Sequence, residues 1–426
     1  MSKENILELA ERTEFMKRKP KKIDPYDFLG IVCTLAVLDT PSFNSIAAKY
    51  SIDYNISASK QAISKKMKKE CLEFFMTILA LIINNKLKRT EAKAMLLIKE
   101  YSRVLVQDST LIRLPLRLFD SFSGMRNGSA TNCTARIQGV YDILSGSFID
   151  FSIDPYSKND LLAAPELTIC KNDLVLRDRG YFTVDEVERH KVAQAECIYR
   201  FKASTTILFP RTGKPIDLVK LLKKKGSVDM EVCLNNKKRT KVRLVASPVS
   251  EDIANRRRAT PKSKTNRSKL PSQTVLQLMS WTIYITTISE EKACFEKIFA
   301  LYSLRWRIEI IFKAWKSHAS FTQVHNISEI HLRILLTARF IMIAVFVHYV
   351  YNPWIEIIRS RYKRELSLLK IFSYLTSNID QLFILLYNKS NSYQCIAEKN
   401  LLKYCTYDKR KRLNFNQILM SKPALS

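Results

Sequence analysis

Three carboxylates stand out by the residues around them. Asp108 interrupts an apolar run, with Val104, Leu105 and Val106 before it and Leu111 and Ile112 after it. An acid inside a buried strand is costly unless it is paired, hydrogen-bonded or bound to a cation. Asp178 ends the strand-like stretch that starts at Asp173, between Arg177 and Arg179. Glu309 lies on a helical stretch with Tyr302, Arg305, Lys313 and Lys316, and offsets of 3, 4, 4 and 3 predict one shared face for all five. Taken singly, each acid also has an ordinary reading: Asp108 as a structural acceptor, Asp178 as a salt-bridged cap, Glu309 as a rung of a solvated Arg–Glu–Lys ladder. Tyr302 weighs against the ladder, because a solvated face has no need of it. Together, three carboxylates suit two divalent ions about 3.5–4 Å apart that clamp a scissile phosphate. Oxygen ligands suit Mg²⁺, with Mn²⁺ as a substitute. Attacking water would give cleavage, and an attacking DNA 3′-hydroxyl would give strand transfer. With only five His, none before His190, a zinc site or a Ser–His–Asp triad has little support.

The elements that must position these acids can be read along the 426 residues. Residues 1–98 read as a helical N-terminal, DNA-binding domain. Phe28–Leu38 is one apolar helix, a second starts near Pro41, and a break falls at Asp53–Asn55. Ser57 or Ser59 can cap a basic helix whose Ala62, Ile63 and Met67 face inward while Lys60, Lys65, Lys66 and Lys68 face solvent. That pair of helices fits a DNA-reading unit or a plain bundle. Residues 99–350 read as an α/β catalytic domain. Strands are expected at Arg103–Ile112, Ala135–Leu144, Ser147–Ile153 and Asp173–Asp178, followed by a helix at Val184–Val192. A second strand-rich stretch, about 195–288, includes runs starting at Cys197, Asp229, Lys241 and Trp281. Residues 351–426 read as a helical C-terminal region suited to dimerisation, with a basic run at Lys409–Arg412.

Composition sets the outer bounds. Lys and Arg number 70 against 40 Asp and Glu, a formal net charge of +30. Hydrophobic residues make up 46%, which excludes a disordered polycation. The excess charge points to a polyanionic partner, nucleic acid before membrane. Nine scattered Cys without a C-x-x-C pair fit a reducing compartment, expected to be the bacterial cytoplasm. The apolar run Ile341–Val347 is too short to span a bilayer, with Arg339 and His348 close by, so a buried helix is expected. The segment Asn255–Lys269 is basic and poor in apolar residues. Its Arg256, Arg257, Arg258, Lys262, Lys264, Arg267 and Lys269 would track a phosphate backbone, or form a solvated loop.

The series Tyr302-x-x-Arg305-x-x-x-Glu309-x-x-x-x-x-x-Lys316 resembles the signature of the IS4-type DDE transposases, and its Y-(2)-R-(3)-E-(6)-K spacing is matched without departure. Asp108 in QDST and Asp178 in RDRGY resemble the first two acids of that family. The resemblance covers roughly residues 20–350. It implies an RNase H-like core interrupted by a mostly β insertion between the last two acids, matching the strands read there. It implies catalytic and metal-binding roles for Asp108, Asp178 and Glu309, with Mg²⁺ as cofactor. Tyr302, Arg305 and Lys316 would hold the phosphate near a flipped or hairpinned end, with Lys313 as an added cation. Trp281 resembles the aromatic that stacks on a displaced base, a sequence-tolerant contact; it reads equally as a core aromatic. The implied partners are double-stranded DNA, both terminal inverted repeats and target, and a second copy in a synaptic homodimer. The implied reaction is cut-and-paste transposition through a hairpin. The alternatives are a DDE-fold nuclease, a catalytically silent transposase-derived DNA-binding protein, and a structural nucleoid protein.

Overall fold

The computed structural model of the chain describes residues 1–20, 22–84, 96–124, 132–158, 167–264, 271–379 and 391–407. It begins with helices α1 (Lys3–Arg12), α2 (Pro25–Leu38), α3 (Phe43–Tyr54), α4 (Lys60–Lys66) and α5 (Lys69–Asn84). Capping chemistry sets most of their starts. Ser2, Asp24, Ser42 and Ser59 each accept a backbone N–H from the first turn of α1 to α4, which satisfies donors with no intrahelical partner. Ser59, not Ser57, caps the basic helix. Asn55 stops α3 in the left-handed conformation, at φ 53°. Ile63 and Met67 are buried as expected. Lys66 departs from its expected solvent position: it is half-buried, donates to the Phe15 carbonyl at 3.3 Å and lies 4.9 Å from the Phe15 ring centroid.

Strands and crossover helices follow: β1 (Arg103–Arg113), β2 (Thr134–Asp142), β3 (Ser147–Pro155), β4 (Asp173–Arg177), α6 (Val184–Val192), β5 (Glu196–Arg200) and β6 (Ile207–Leu208). Next come α7 (Leu218–Lys225), β7 (Val228–Leu234), β8 (Lys241–Pro248), α8 (Glu251–Lys264), α9 (Gln273–Leu278) and β9 (Trp281–Thr286). The remaining helices are α10 (Phe295–Ser303), α11 (Trp306–His318), α12 (Glu329–Val345), α13 (Asn352–Tyr362), α14 (Leu368–Ser377) and α15 (Asn391–Tyr404). The architecture is mixed α/β. All nine cysteines are free thiols. The basic run Lys409–Arg412 lies outside the described residues.

The chain packs as two compact units. The first comprises Met1–Ala92, Asp108–Pro165 and Trp306–Asn416; the second comprises Lys93–Gln107, Glu166–Arg305 and Gln417–Ser426. In the first, β2 and β3 form an antiparallel pair from Ala135↔Pro155 to Asp142↔Ser147, with a bulge between Val140 and Tyr141. Gly139 on β2 admits a close neighbour: a Cβ there would stand 2.8 Å from the Phe148 ring and 3.5 Å from that of Phe312. In the second unit, the first half of β1 pairs in parallel with β4, and β4 with β5. The sheet continues antiparallel through β9, β8, β7 and β6.

The apolar run read as a short helix proves to be part of a longer one. Glu329–Tyr362 is a single helical run of 34 residues, long and apolar enough to cross a membrane, yet 72% of its apolar window is buried. It packs on α2 and α5. Arg339 lies inside this helix and does not bound it. Its guanidinium donates to the carbonyls of Ala36 and Gln323 at 2.7 and 3.3 Å and to the Thr40 hydroxyl at 3.2 Å. The buried cation therefore binds groups near the α2 C-terminus, where carbonyls lack intrahelical donors. A π segment, Phe346–Tyr351, carries the run into α13, where Pro353 has no N–H to donate.

Candidate active site

In the first unit, β1 and α11 build one cavity of about 360 Å³. β1 contributes Asp108, Ser109 and Thr110; α11 contributes Glu309, Phe312, Lys313, Lys316 and Ser317. Asp108 Oδ1 accepts the backbone N–H of Ser109 at 2.8 Å. The Ser109 hydroxyl accepts from Arg136 on β2 at 3.1 Å, and the Arg136 guanidinium lies 4.9 Å from the Tyr156 ring centroid. Glu309 stands in the first turn of α11, where the helix dipole favours an acid. Lys313 is exposed and Lys316 half-buried. Burial pushes the Lys316 ammonium below its usual value, so an anion in the cavity would favour its charged form. Two carboxylates and two ammonium groups thus share one water-accessible space.

That donor set fits a hard cation. Among the described residues, no three His, Cys, Asp or Glu side chains are grouped to hold one ion. Mg²⁺ needs no such cage: it binds through one or two carboxylates and keeps waters or substrate phosphates as its other ligands. Asp108 and Glu309 offer carboxylate oxygens of that kind.

Asp178 belongs to the second unit, immediately after β4. The register pairs Gln107 of β1 with Arg177 of β4, and in each strand the next residue is the aspartate. Arg177 is buried, with its guanidinium on Glu186 and, at 3.4 Å, on the Tyr199 hydroxyl. Tyr302 is 4% exposed and its hydroxyl donates to the Arg177 carbonyl at 3.3 Å. Arg305 is also buried, its guanidinium 5.7 Å from the Tyr302 ring centroid.

The same network holds His190, which is fully buried among Arg177, Glu186, Arg189 and Tyr199. Burial first, then the Arg177 charge, pushes it from 6.5 to about 4, against the pull of the Glu186 carbonyl. The unfolded chain therefore takes up a proton near pH 6.5 that the folded chain refuses until about pH 4. This contribution to stability is complete above pH 6.5 and declines as the pH falls towards about 4. Urea midpoints measured across that range should fall with acid in the wild type, and less steeply in His190→Gln. Equal slopes in the two proteins would exclude His190 as the source.

Several sequence expectations need correction. Tyr302 and Glu309 do not share one helix. The backbone N–H groups of Leu304 and Arg305 bond to Leu301 and Tyr302 carbonyls at 3.1 and 3.0 Å. These tighter three-residue bonds end α10 and start α11, so Tyr302 and Arg305 lie in one unit and Glu309, Lys313 and Lys316 in the other. The basic segment is not a uniformly exposed stretch either, because its first part lies in α8. Arg256 is exposed, but Arg257 donates to the carbonyls of Met279 and Trp281 at 3.3 and 3.0 Å. Arg258 reaches Glu251 at 2.8 Å and also the Ser280 hydroxyl. Lys262 and Lys264 lie on the α8 backbone; Arg267 and Lys269 lie outside the described residues. Trp281 is half-buried, and its indole N–H donates to the Gly226 carbonyl at 2.8 Å. Trp315 is a core residue, whereas Trp306 is 58% exposed. Ser109 and Arg136 were not anticipated. The signal available was a pair of polar residues, Arg136 and Gln138, inside the apolar run of β2.

The span that carries these elements also defines the class of protein. The family model for the transposase DDE domain matches residues 101–345, more than half of the chain. The chain belongs to that family, as a DDE transposase of the IS4 type. The transposase for insertion sequence element IS1151 of Clostridium perfringens is 28% identical over 394 residues, covering 86% of this chain and 82% of that protein. The transposase for IS231B of Bacillus thuringiensis subsp. berliner is 25% identical over 399 residues, covering 88% and 83%. That for IS231D of Bacillus thuringiensis subsp. finitimus is 27% identical over 416 residues, covering 92% and 85%. Among solved structures, a cryo-EM structure of the piggyBac transposase synaptic complex with hairpin DNA has a TM-score of 0.42 at 10% identity, covering 97% of this chain and 84% of that chain.

Proposed function

We propose that this transposase cuts DNA at the terminal inverted repeats of its insertion sequence and joins the freed 3′-hydroxyls to target DNA, with Asp108, Asp178 and Glu309 as its acids on an RNase H-like core. The observation that carries the reading is the single cavity lined by Asp108, Glu309, Lys313 and Lys316. Asp178 is assigned to the same chemistry by its RDRGY context, and the Gln107↔Arg177 register supports this.

Asp108 and Glu309 would hold Mg²⁺ through carboxylate oxygens, with Asp178 as the third acid. Such an ion, when bound, polarises the scissile phosphate and activates the attacking oxygen. The protein's own residues do the rest. Ser109 N–H holds one oxygen of Asp108, and Arg136 holds Ser109. Lys313 and Lys316 set positive charge where the phosphate gains negative charge, in place before the reaction begins. Arg256 adds a backbone contact without sequence choice. A synaptic homodimer and a hairpin route belong to this proposal through the family resemblance.

The test uses purified protein, Mg²⁺ and DNA carrying the inverted repeats that flank its own coding region. A nick exposing a 3′-hydroxyl at the repeat end is expected, followed by a joined product in a target plasmid. Both should vanish when the metal is chelated. Ends bound but left uncut in Mg²⁺ and Mn²⁺ would support the silent DNA-binding derivative. Cutting without joining would support the nuclease.

A further inference from the structure

Tyr302 carries an inference of its own, and every contact behind it lies within the second unit. Its ring stacks near Tyr284, with centroids 4.4 Å apart, and the Arg305 guanidinium lies beside it. Its hydroxyl donates to the Arg177 carbonyl at 3.3 Å. That carbonyl belongs to the peptide bond leading into Asp178. Other contacts hold the same residue. The Arg177 backbone pairs with Gln107 on one side and Tyr199 on the other. Its side chain is clamped by Glu186, which also takes Arg189. After Asp178, the Tyr181 N–H returns to the Asp178 carbonyl at 3.1 Å and closes a tight turn.

The chemistry of a buried phenol narrows what Tyr302 can do. Burial raises its pKa, so it keeps its proton and acts as a donor. A buried donor needs an acceptor, and the Arg177 carbonyl supplies one. A hydroxyl committed to that carbonyl at 4% exposure is not presented to a DNA phosphate.

The geometry points to Tyr302 as a positioning residue, whose hydroxyl fixes the peptide plane that aims Asp178 instead of gripping the substrate phosphate. This rests on the reading of Asp178 as a catalytic acid. Tyr302→Phe keeps the ring and its stacking and deletes only the hydroxyl. Cleavage at saturating DNA should slow about 10–100-fold, the usual loss when a partner that orients a ligating group is removed. The Kd for inverted-repeat DNA, measured by mobility shift without divalent metal, should stay within about twofold, because no DNA contact is removed. The Mg²⁺ concentration for half-maximal cleavage should rise. A phosphate grip gives the reverse, weaker end binding with cleavage retained at saturating DNA, and overturns the proposal. So does a variant unchanged in both measurements. A second measurement uses the wild-type protein and so does not depend on the variant folding. Tetranitromethane should leave Tyr302 unmodified with or without DNA; nitration of the free protein that DNA suppresses overturns the proposal. Asp178→Asn serves as the separate control, since a variant that still cleaves would remove Asp178 from the chemistry whatever Tyr302 does.

Discussion

Asp108→Ala should bind inverted-repeat DNA as tightly as the wild type and cleave it at least about a thousandfold more slowly. The size follows from what the carboxylate is asked to supply. Metal-ion stabilisation of charge in a phosphoryl-transfer transition state is worth several kcal/mol, and each 1.36 kcal/mol is tenfold in rate. Glu309→Ala should behave alike, because both acids line the cavity that also holds Lys313 and Lys316. The double variant should be little worse than either single one, since groups acting as a unit do not lose activity additively. Binding should survive because affinity for the duplex comes from cations on phosphates. Removing an acid beside two lysines leaves a more positive surface, so end binding should hold or tighten. Single-turnover cleavage and mobility shift on the same preparation separate the two effects. A rate loss under tenfold, or affinity falling in step with rate, would count against the metal-binding role.

The three acids were legible because each breaks a local pattern. Asp108 is a charge in an apolar strand, Asp178 ends one, and Glu309 stands in a cationic series with fixed spacing. The elements that carry them were legible for a related reason. Short apolar runs bounded by turn residues gave β1 to β4, and α6 spans the expected Val184–Val192. What sequence hid was contact at a distance. Arg136 meets Ser109 across two strands 27 residues apart, and neither residue is unusual alone. The break at Leu304–Arg305 was hidden for a different reason. Side-chain spacing of three and four survives a single tight turn, so periodicity cannot separate one helix from two abutting ones. Composition likewise gives charge but no direction. Arg257, Arg258 and Lys66 look like solvent or DNA contacts in sequence, yet each binds backbone or side-chain oxygens of the protein. Arg339 misled in the same way: read as the edge of an apolar run, it is the polar anchor inside it.

The largest stability effect should come from the residue that seats α11. Trp315 is 1% exposed and lies on the helix that carries Glu309, Lys313 and Lys316. Its ring meets Phe148 at 4.8 Å, Phe312 at 5.1 Å, Phe321 at 5.4 Å, and Phe151 and Phe340 at 5.6 Å between centroids. Those rings come from β3, α11, α12 and the α11–α12 connection, so one indole joins sheet to helices within the first unit. Gly139 leaves room for Phe148 and Phe312 to close on the same point. Trp315→Ala should therefore cost about 3–5 kcal/mol, from lost burial plus a cavity that packed aromatics cannot collapse to fill. Trp306→Ala, on the same helix but 58% exposed, should cost well under half of that. Urea unfolding followed by near-ultraviolet circular dichroism would rank the two, and a Trp315→Ala loss below about 1 kcal/mol would mean that the cluster does not seat the helix. Trp315→Phe adds a functional test, because it keeps an aromatic but removes about a third of the ring contacts that fix α11. If α11 sets where Glu309 stands, this folded variant should lose cleavage rate more than DNA affinity, since 1 Å of misplacement can cost about a hundredfold in rate.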